Sequence, residues 1–310
     1  MKPAPGAETH ANLTPHVRLG RVAVVANCAS GSVGPAAPAE VERILASFGI
    51  EGSVAAPAPE GIGQALKDAV AGKPDLLVVL AGDGTARAAA SLCGPAGPLV
   101  APLPGGTMNI LPKALYGPRT WQAALTDALT TGTETAVGGG EVNGEAFFVA
   151  AILGSPALFA EAREAARHGK VREALERVRR AYRRAFSSRL RYVLDGRESG
   201  KTEALGLLCP LISRTMDEDT SLEAAAFNPT NTAEVLRLGL RAALAGVSDA
   251  RWGDWRDDPA VRMSRCRSGR AWARHGIPAT LDGEPMRLGR EVRLRFHRKA
   301  FRALVPAPEA

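Results

Sequence analysis

The sequence predicts an N-terminal doubly wound α/β domain followed by a C-terminal antiparallel β-sandwich-like domain with a long basic helix. Three observations predict it. Up to about residue 136, short apolar runs alternate with amphipathic stretches, the pattern of a mostly parallel sheet. Beyond that point strand-like runs follow one another with few helical interruptions, as in a sandwich or barrel. The 310 residues, 45% hydrophobic and 23% charged, are also enough for two ordinary globular domains. The expected boundaries are a disordered tail over 1–16, a first domain over 17–136 and a second over 137–298, with 299–310 as a candidate to complete the first.

In order along the chain, Val22–Ala26 reads as a short strand, ended by the turn residues Asn27-Cys28-Ala29-Ser30-Gly31. A helix pattern covers about Glu40–Phe48, and a weak strand covers Gly52–Ala56. Ile62–Ala71 is a helix stopped by Gly72 and Pro74. Leu76–Leu80 (LLVVL) is a buried-type strand that runs into Ala81-Gly82-Asp83-Gly84-Thr85 and an Ala-rich helix. Leu99–Leu103 is the next strand and breaks at Pro104-Gly105-Gly106-Thr107. In the second half strands are expected at Phe147–Leu153, Arg191–Leu194, Leu205–Cys209, Leu222–Phe227, Val261–Cys266, Pro278–Leu281 and Val292–Phe296. A helix is expected at Thr232–Leu244. A last strand-like segment, Ala300–Pro306, is placed to return to the first domain.

Composition removes several classes. The four cysteines, Cys28, Cys93, Cys209 and Cys266, are too far apart for a zinc knuckle or a C-x-x-C pair. Met1–Pro15 is polar and lacks the apolar centre of a secretory signal, so a cytoplasmic location is expected. No apolar run approaches the ~18 residues of a membrane span. Aromatics are 5%, which argues against a protein that stacks bases on ring platforms, so no nucleic-acid partner is expected. Net charge is +7, and Ala160–Arg191 holds eleven Lys/Arg against four acids, the whole of that excess. Val171, Leu175, Val178, Tyr182 and Phe186 form an apolar stripe within it. Such a helix suits an anionic membrane surface, reached peripherally; the alternative is that the stripe packs on its own domain and the arginines are merely solvated.

Three motifs carry chemistry. Gly82-Asp83-Gly84-Thr85 follows a buried strand and opens a helix, where backbone N–H groups and the helix dipole face an anion. Its glycines permit close backbone approach, Thr85 can hydrogen-bond phosphate, and Asp83 can hold a divalent ion. A plain strand-to-helix turn capped by the aspartate is the alternative. Gly106, Thr107 and Asn109 follow the next strand in the same way and offer backbone, hydroxyl and amide to a shared ligand, or form an ordinary capped turn. Asp282-Gly283-Glu284 follows an apolar stretch; in an extended chain residues i and i+2 share a face, so both acids would line one cleft. A β-turn with solvated acids is the bland reading.

In this order the motifs resemble the diacylglycerol kinase catalytic family, bacterial lipid kinases related to sphingosine and ceramide kinases. Asn27-Cys28-Ala29-Ser30-Gly31 stands for the family's Asn-Pro-x-Ser/Ala-Gly, Ala81–Thr85 for its Gly-Gly-Asp-Gly-Thr, and Asp282–Glu284 for its Asp-Gly-Glu. Pro104, Gly106, Thr107 and Asn109 match its Pro-x-Gly-Thr-x-Asn. The resemblance implies ATP as phosphate donor, Mg²⁺, and transfer to the hydroxyl of diacylglycerol or a related lipid alcohol, as in phospholipid biosynthesis. It implies Asn27, Ser30, Gly31, Gly82, Asp83, Gly84, Thr85, Gly106, Thr107 and Asn109 around the nucleotide. Glu284 would accept the proton, with Asp282 beside it and Asp83 near metal and γ-phosphate. It also makes Asp219, in an acidic loop before Leu222, the candidate ligand of a structural metal; a solvated loop is the alternative there.

The chain departs from the family at Ala81, and at Ala86-Arg87-Ala88, where a hydrophobic residue, Asn and Glu are usual. Two rival readings follow. An NAD kinase also carries a Gly-Asp-Gly loop before an antiparallel domain, although Thr107-Met108-Asn109-Ile110 lacks the Asn-Glu pair it would need. A catalytically weakened nucleotide- or membrane-binding regulatory protein is the other. A homodimer is compatible with either.

Overall fold

The computed structural model describes residues 17–154, 189–212, 221–228 and 260–307. The basic segment up to residue 188, Asp219, the expected helix at Thr232–Leu244 and the tail over 1–16 lie outside the described residues. The chain divides into two compact units, 1–135 with 301–310, and 136–300.

The first unit alternates strand and helix: β1 (Val22–Ala26), α1 (Ala37–Ser47), β2 (Gly52–Ala55), α2 (Ile62–Ala71), β3 (Leu76–Ala81), α3 (Asp83–Cys93), β4 (Leu99–Pro104), α4 (Ile110–Tyr116) and α5 (Trp121–Thr131). The strands are parallel in the order β2-β1-β3-β4, and Ala303 from the end of the chain pairs in parallel with Val100 of β4. β1, β3 and β4 are apolar at nearly every position because both faces are covered. On one face Val24, Val78, Leu80 and Leu103 pack with Val41 and Leu45 of α1 and with Trp121 and Leu125 of α5. On the other, Val25, Leu77, Val79 and Val100 are fully buried, as are Leu66 of α2, Ala89 and Ala90 of α3 and Leu111 of α4. Tyr116 donates its hydroxyl to the Leu304 carbonyl at 2.9 Å, which ties the returning segment to α4; burial pushes its phenol well above the usual range.

The order 2-1-3-4 matters for function. The chain leaves β1 towards β2 and leaves β3 towards β4, in opposite directions across the sheet. Their carboxyl ends therefore flank a topological switch point, where open α/β sheets bind ligands.

The second unit is built from β5 (Gly132–Val142), β6 (Glu145–Phe147), β7 (Ala150–Gly154), β8 (Leu190–Leu194), β9 (Glu198–Thr202), β10 (Ala204–Leu208), β11 (Leu222–Phe227), β12 (Val261–Cys266), β13 (Ser268–Trp272), β14 (Pro278–Leu281), β15 (Glu284–Arg287) and β16 (Glu291–Pro306). β5 enters from the first unit, and β16 ends in it. One antiparallel sheet runs β12-β11-β10-β7-β14-β15, and the second places β9, β8, β13 and β16 side by side, with β5 and β6 attached to β16. Leu153, Leu205, Leu207 and Ala224 from the first sheet meet Tyr192, Leu194, Ala271, Val292 and Leu294 from the second in one core, a sandwich interior.

Two differences from the sequence reading have physical causes. Phe147–Leu153 is not one strand: β6 ends at Phe147 and β7 begins at Ala150, because the N–H groups of Phe148 and Val149 go to a side chain, that of Asp282, instead of a neighbouring strand. Val292–Phe296 and Ala300–Pro306 are one strand of 16 residues, whose burial pattern shifts where it changes units.

Asp75, just before β3, shows how the first unit is held at its amino edge. Its carboxylate accepts from the Gly20 and Arg21 N–H groups at 2.8 and 2.7 Å, and these bonds hold its pKa below the ordinary 3.8. A carboxylate with a depressed folded pKa adds stability above the unfolded value and loses it as pH falls through the folded one. Asp75→Asn should therefore lower the unfolding midpoint at pH 7, and the gap to wild type should shrink as pH is taken from 5 to below 3. Denaturant titrations across that range check it.

Candidate active site

Three loops leave the carboxyl ends of β1, β3 and β4, and the structure brings them together. Asn27 donates its N–H to the Leu80 carbonyl of β3, and its side chain accepts from Ala29 N–H at 3.1 Å, so the first loop starts in a side-chain-closed turn. Ser32 then reaches the third loop: its N–H goes to the Gly105 carbonyl at 3.2 Å, and its hydroxyl lies 3.4 Å from the Pro104 and Gly106 carbonyls. Ser32 lies just outside the sequence motif Asn27–Gly31. Its signal was the small-residue run Ser30-Gly31-Ser32, which resembles ordinary turn chemistry.

The glycines are what permit this convergence. A methyl group on Gly105 would stand 2.7 Å from the Ala81 nitrogen, and one on Gly106 2.7 Å from the Gly82 α-carbon. Real β-carbons do not come so close, and here the obstacles are backbone. From the other side a methyl on Gly82 would meet Ser30 Oγ at 3.8 Å, and one on Gly31 would meet Thr107 Oγ1 at 3.5 Å. Ser30, Gly31, Gly82, Gly106 and Thr107 thus form a single cluster. Thr107 and Gly31 are exposed, and Gly82, Gly84 and Thr85 are half-buried. Gly82 is the N-cap of α3 and has no side chain with which to cap it, so the first turn of α3, including Gly84 and Thr85, faces the loops with its backbone.

Two residues offered to a ligand by the sequence have structural duties. Asn109 adopts the left-handed conformation (φ 52°, ψ 47°), and its side-chain oxygen accepts from Gly106 N–H at 2.7 Å while its amide donates to the Gly106 carbonyl at 2.8 Å. Both ends of that amide close the loop. Asp83 is buried, 8% exposed, and accepts from the Leu111 N–H at 3.2 Å, which caps the neighbouring helix α4. Asp83 thereby locks the second loop to the third. A single aspartate carboxylate beside such loops is a donor set of the kind Mg²⁺ takes, since the ion typically uses one or two protein carboxylates with substrate phosphates and water. Among the described residues no cluster of three or more acids, histidines and cysteines forms a metal cage.

Asp282 and Glu284 belong to the second unit, and their geometry is not the extended one suggested by the sequence. Asp282 (φ 49°) and Gly283 (φ 87°) are the two residues of a hairpin turn that joins β14 to β15, with Leu281 opposite Glu284. Asp-Gly suits the two left-handed positions that such a tight hairpin demands. The two acids consequently part: Asp282 is 2% exposed, and Glu284 is exposed at the first position of β15. Asp282 accepts from three backbone N–H groups, Phe148 at 2.8 Å, Val149 at 2.8 Å and Ala150 at 3.0 Å, and donates its own N–H to the Ala150 carbonyl. Asp282 is a positioning residue that fixes Glu284 to the β6–β7 corner.

The cysteines are free thiols. Burial pushes the Cys93 thiol up to about 11 and the Cys266 thiol up to about 12, and burial together with the nearby Asp282 raises Cys209 well above the usual thiol range. Only Cys28, in the first loop, is partly exposed. No helix among the described residues is long and apolar enough to cross a membrane.

Two substitutions separate these duties. Gly106→Ala should destabilise the first unit by about 1–3 kcal/mol through backbone overlap with Gly82, read as a lower denaturant midpoint. Asp282→Asn is nearly isosteric but turns an NH₂ donor towards N–H donors. It should cost about 2–3 kcal/mol, whereas the exposed Glu284→Gln should leave stability within about 0.5 kcal/mol.

Comparison with known proteins agrees with this geometry. Residues 21–142, which contain all three loops, match the diacylglycerol kinase catalytic domain. A diacylglycerol kinase from Bacillus anthracis str. Sterne shares the fold, with a TM-score of 0.66, 14% identity, and coverage of 94% of this chain and 98% of that one. An NAD kinase from Archaeoglobus fulgidus, solved in complex with ATP, aligns with a TM-score of 0.50 and 12% identity over 93% of this chain and 94% of its own. No curated protein matches the chain. The segment 21–142 that forms the three-loop cluster is thus similar to the diacylglycerol kinase catalytic domain.

Proposed function

We propose that the protein is an ATP-dependent lipid kinase that transfers the γ-phosphate to the hydroxyl of diacylglycerol or a related lipid alcohol. The observation that carries this reading is the convergence of the three glycine loops at the sheet's switch point, within the segment that matches the kinase domain. Phosphoryl transfer asks a protein mainly for positioning and charge neutralisation. Backbone N–H groups at the start of α3 and the hydroxyls of Ser30, Thr85 and Thr107 would hold the nucleotide phosphates, and Asn27 and Asn109 would keep the loops in shape. Mg²⁺, held by Asp83 and the phosphates, would neutralise charge on the transferring group.

Glu284 would take the proton of the acceptor hydroxyl as its oxygen bonds to the γ-phosphorus and the bond to the β,γ-bridging oxygen breaks, which releases ADP. Its exposure supports the role, since an acceptor must reach it, and the buried Asp282 below supports its position. The basic segment over 160–191 supports a peripheral membrane location where such acceptors reside.

The test is transfer of label from ATP, with Mg²⁺, to diacylglycerol, monoacylglycerol, sphingoid, ceramide and isoprenoid alcohols, with NAD alongside. Glu284→Gln should lower lipid phosphorylation by a factor on the order of 10²–10⁴ while the variant folds and binds ATP as wild type does. Label on NAD in place of lipid would assign the protein to the other phosphotransferase class. ATP binding without transfer to any acceptor would favour a regulatory module.

A further inference from the structure

The outer face of the second unit's β9-β8-β13-β16 sheet is strongly basic. Inward positions along these strands, Leu190, Tyr192, Leu194, Ala271, Val292 and Leu294, are buried in the sandwich core. The alternate positions point out, and there Lys201, Arg191, Arg270, Arg293 and Arg295 are all exposed. Among the described residues three acids reach this face, one of them Glu141 of the attached β5, 3.0 Å from the outward His297. Glu291 pairs with Arg270 at 3.6 Å, and Asp195, at the rim, spends its carboxylate on the Arg267 and Ser268 N–H groups. The register sets like charges directly opposite each other: Arg191 faces Lys201, and Arg270 faces Arg293. Such pairs destabilise a sheet.

Ordinary explanations cover only part of this. Lys201 lies on β9, at the end of the sheet, where a lysine discourages edge-to-edge pairing. Arg191 and Arg270 lie on β8 and β13, which are paired on both sides and have no edge to guard. Solubility would be served equally by mixed charges without the opposed like pairs. Trp272, half-buried between Arg191 and Glu291 in the register, adds an indole of the kind that sits at a headgroup boundary. The sequence also runs from its most basic segment directly into this face, through Arg189, which pairs with Glu203 at 3.5 Å, to the exposed Arg191 of β8.

We propose that this sheet face is a docking surface for an anionic phospholipid membrane. The choice of a membrane over other polyanions rests on the reading of the acceptor as a membrane lipid; a nucleic acid would be expected to find more than one aromatic on such a surface. Held flat against the headgroups, the opposed cations are neutralised by lipid phosphates, and the cost of setting them together in the free protein is relieved on binding.

The test uses the full chain and Arg191→Glu/Arg293→Glu. This double variant changes the face by four charges yet sets Glu opposite Lys201 and opposite Arg270, so it converts both repulsive pairs to attractive ones. Its Tm should equal or exceed that of wild type. In sedimentation with vesicles of phosphatidylcholine and phosphatidylglycerol, wild type should bind, release as salt is raised, and ignore pure phosphatidylcholine. The variant should lose affinity by several hundredfold, at about fivefold per charge near the surface. Unchanged vesicle affinity in the variant would overturn the proposal, as would a wild-type preference for polynucleotide or an acidic peptide over the vesicles. Phosphorylation of lipid dispersed in neutral detergent micelles should remain at the wild-type rate in the variant. If neither protein phosphorylates any lipid, the kinase reading falls, and the vesicle comparison still decides the role of the face.

Discussion

Backbone packed against backbone, with no side chain between, joins the ends of β3 and β4, and the candidate site depends on this contact. Gly105 lies against Ala81 and Gly106 against Gly82, at separations that exclude even a methyl group. Close approach brings the third loop within reach of Ser32 and sets Thr107 beside Gly31. It also lets Asp83 cap the helix that follows the third loop. Without it there would be three separate turns at the edge of a sheet. With it, glycine backbone, the start of α3 and the hydroxyls of Ser30 and Thr107 lie together, the setting in which phosphate is proposed to bind.

The second unit uses the opposite device, a buried charge in place of a missing side chain. Asp282 holds three consecutive N–H groups that no strand satisfies, and it does so from a hairpin turn whose next residue is the exposed Glu284. A buried carboxylate with fully formed charge-assisted bonds is rigid. The interruption between β6 and β7 is therefore a socket for Asp282, and the short Asp-Gly-Glu segment divides cleanly into an anchor, a turn and a presented acid.

Much of this was legible in residue patterns. Strands buried on both faces announce themselves as unbroken apolar runs, so β1, β3 and β4 were read within a residue of their observed ends. The loops stood out because glycines directly after such strands are chemically unusual. What was hidden depended on partners distant in sequence. Asn109 and Asp83 carry side chains that suit a ligand, and only their tertiary neighbours show that they also serve the loops themselves. The break at Phe148 could not be seen without Asp282, more than a hundred residues away. β13, with Gly269 and alternating Arg270 and Trp272, has too weak a pattern to be called a strand on its own, and the basic face that it helps to form appears only once the register is known.

Amide hydrogen exchange with and without ATP and Mg²⁺ tests most directly whether the three loops act as one phosphate site. The expected result is slowed exchange at 27–32, 82–86 and 104–109 together, with the same dependence on nucleotide concentration. Protection confined to one loop, or saturable binding that leaves all three unprotected, would contradict it.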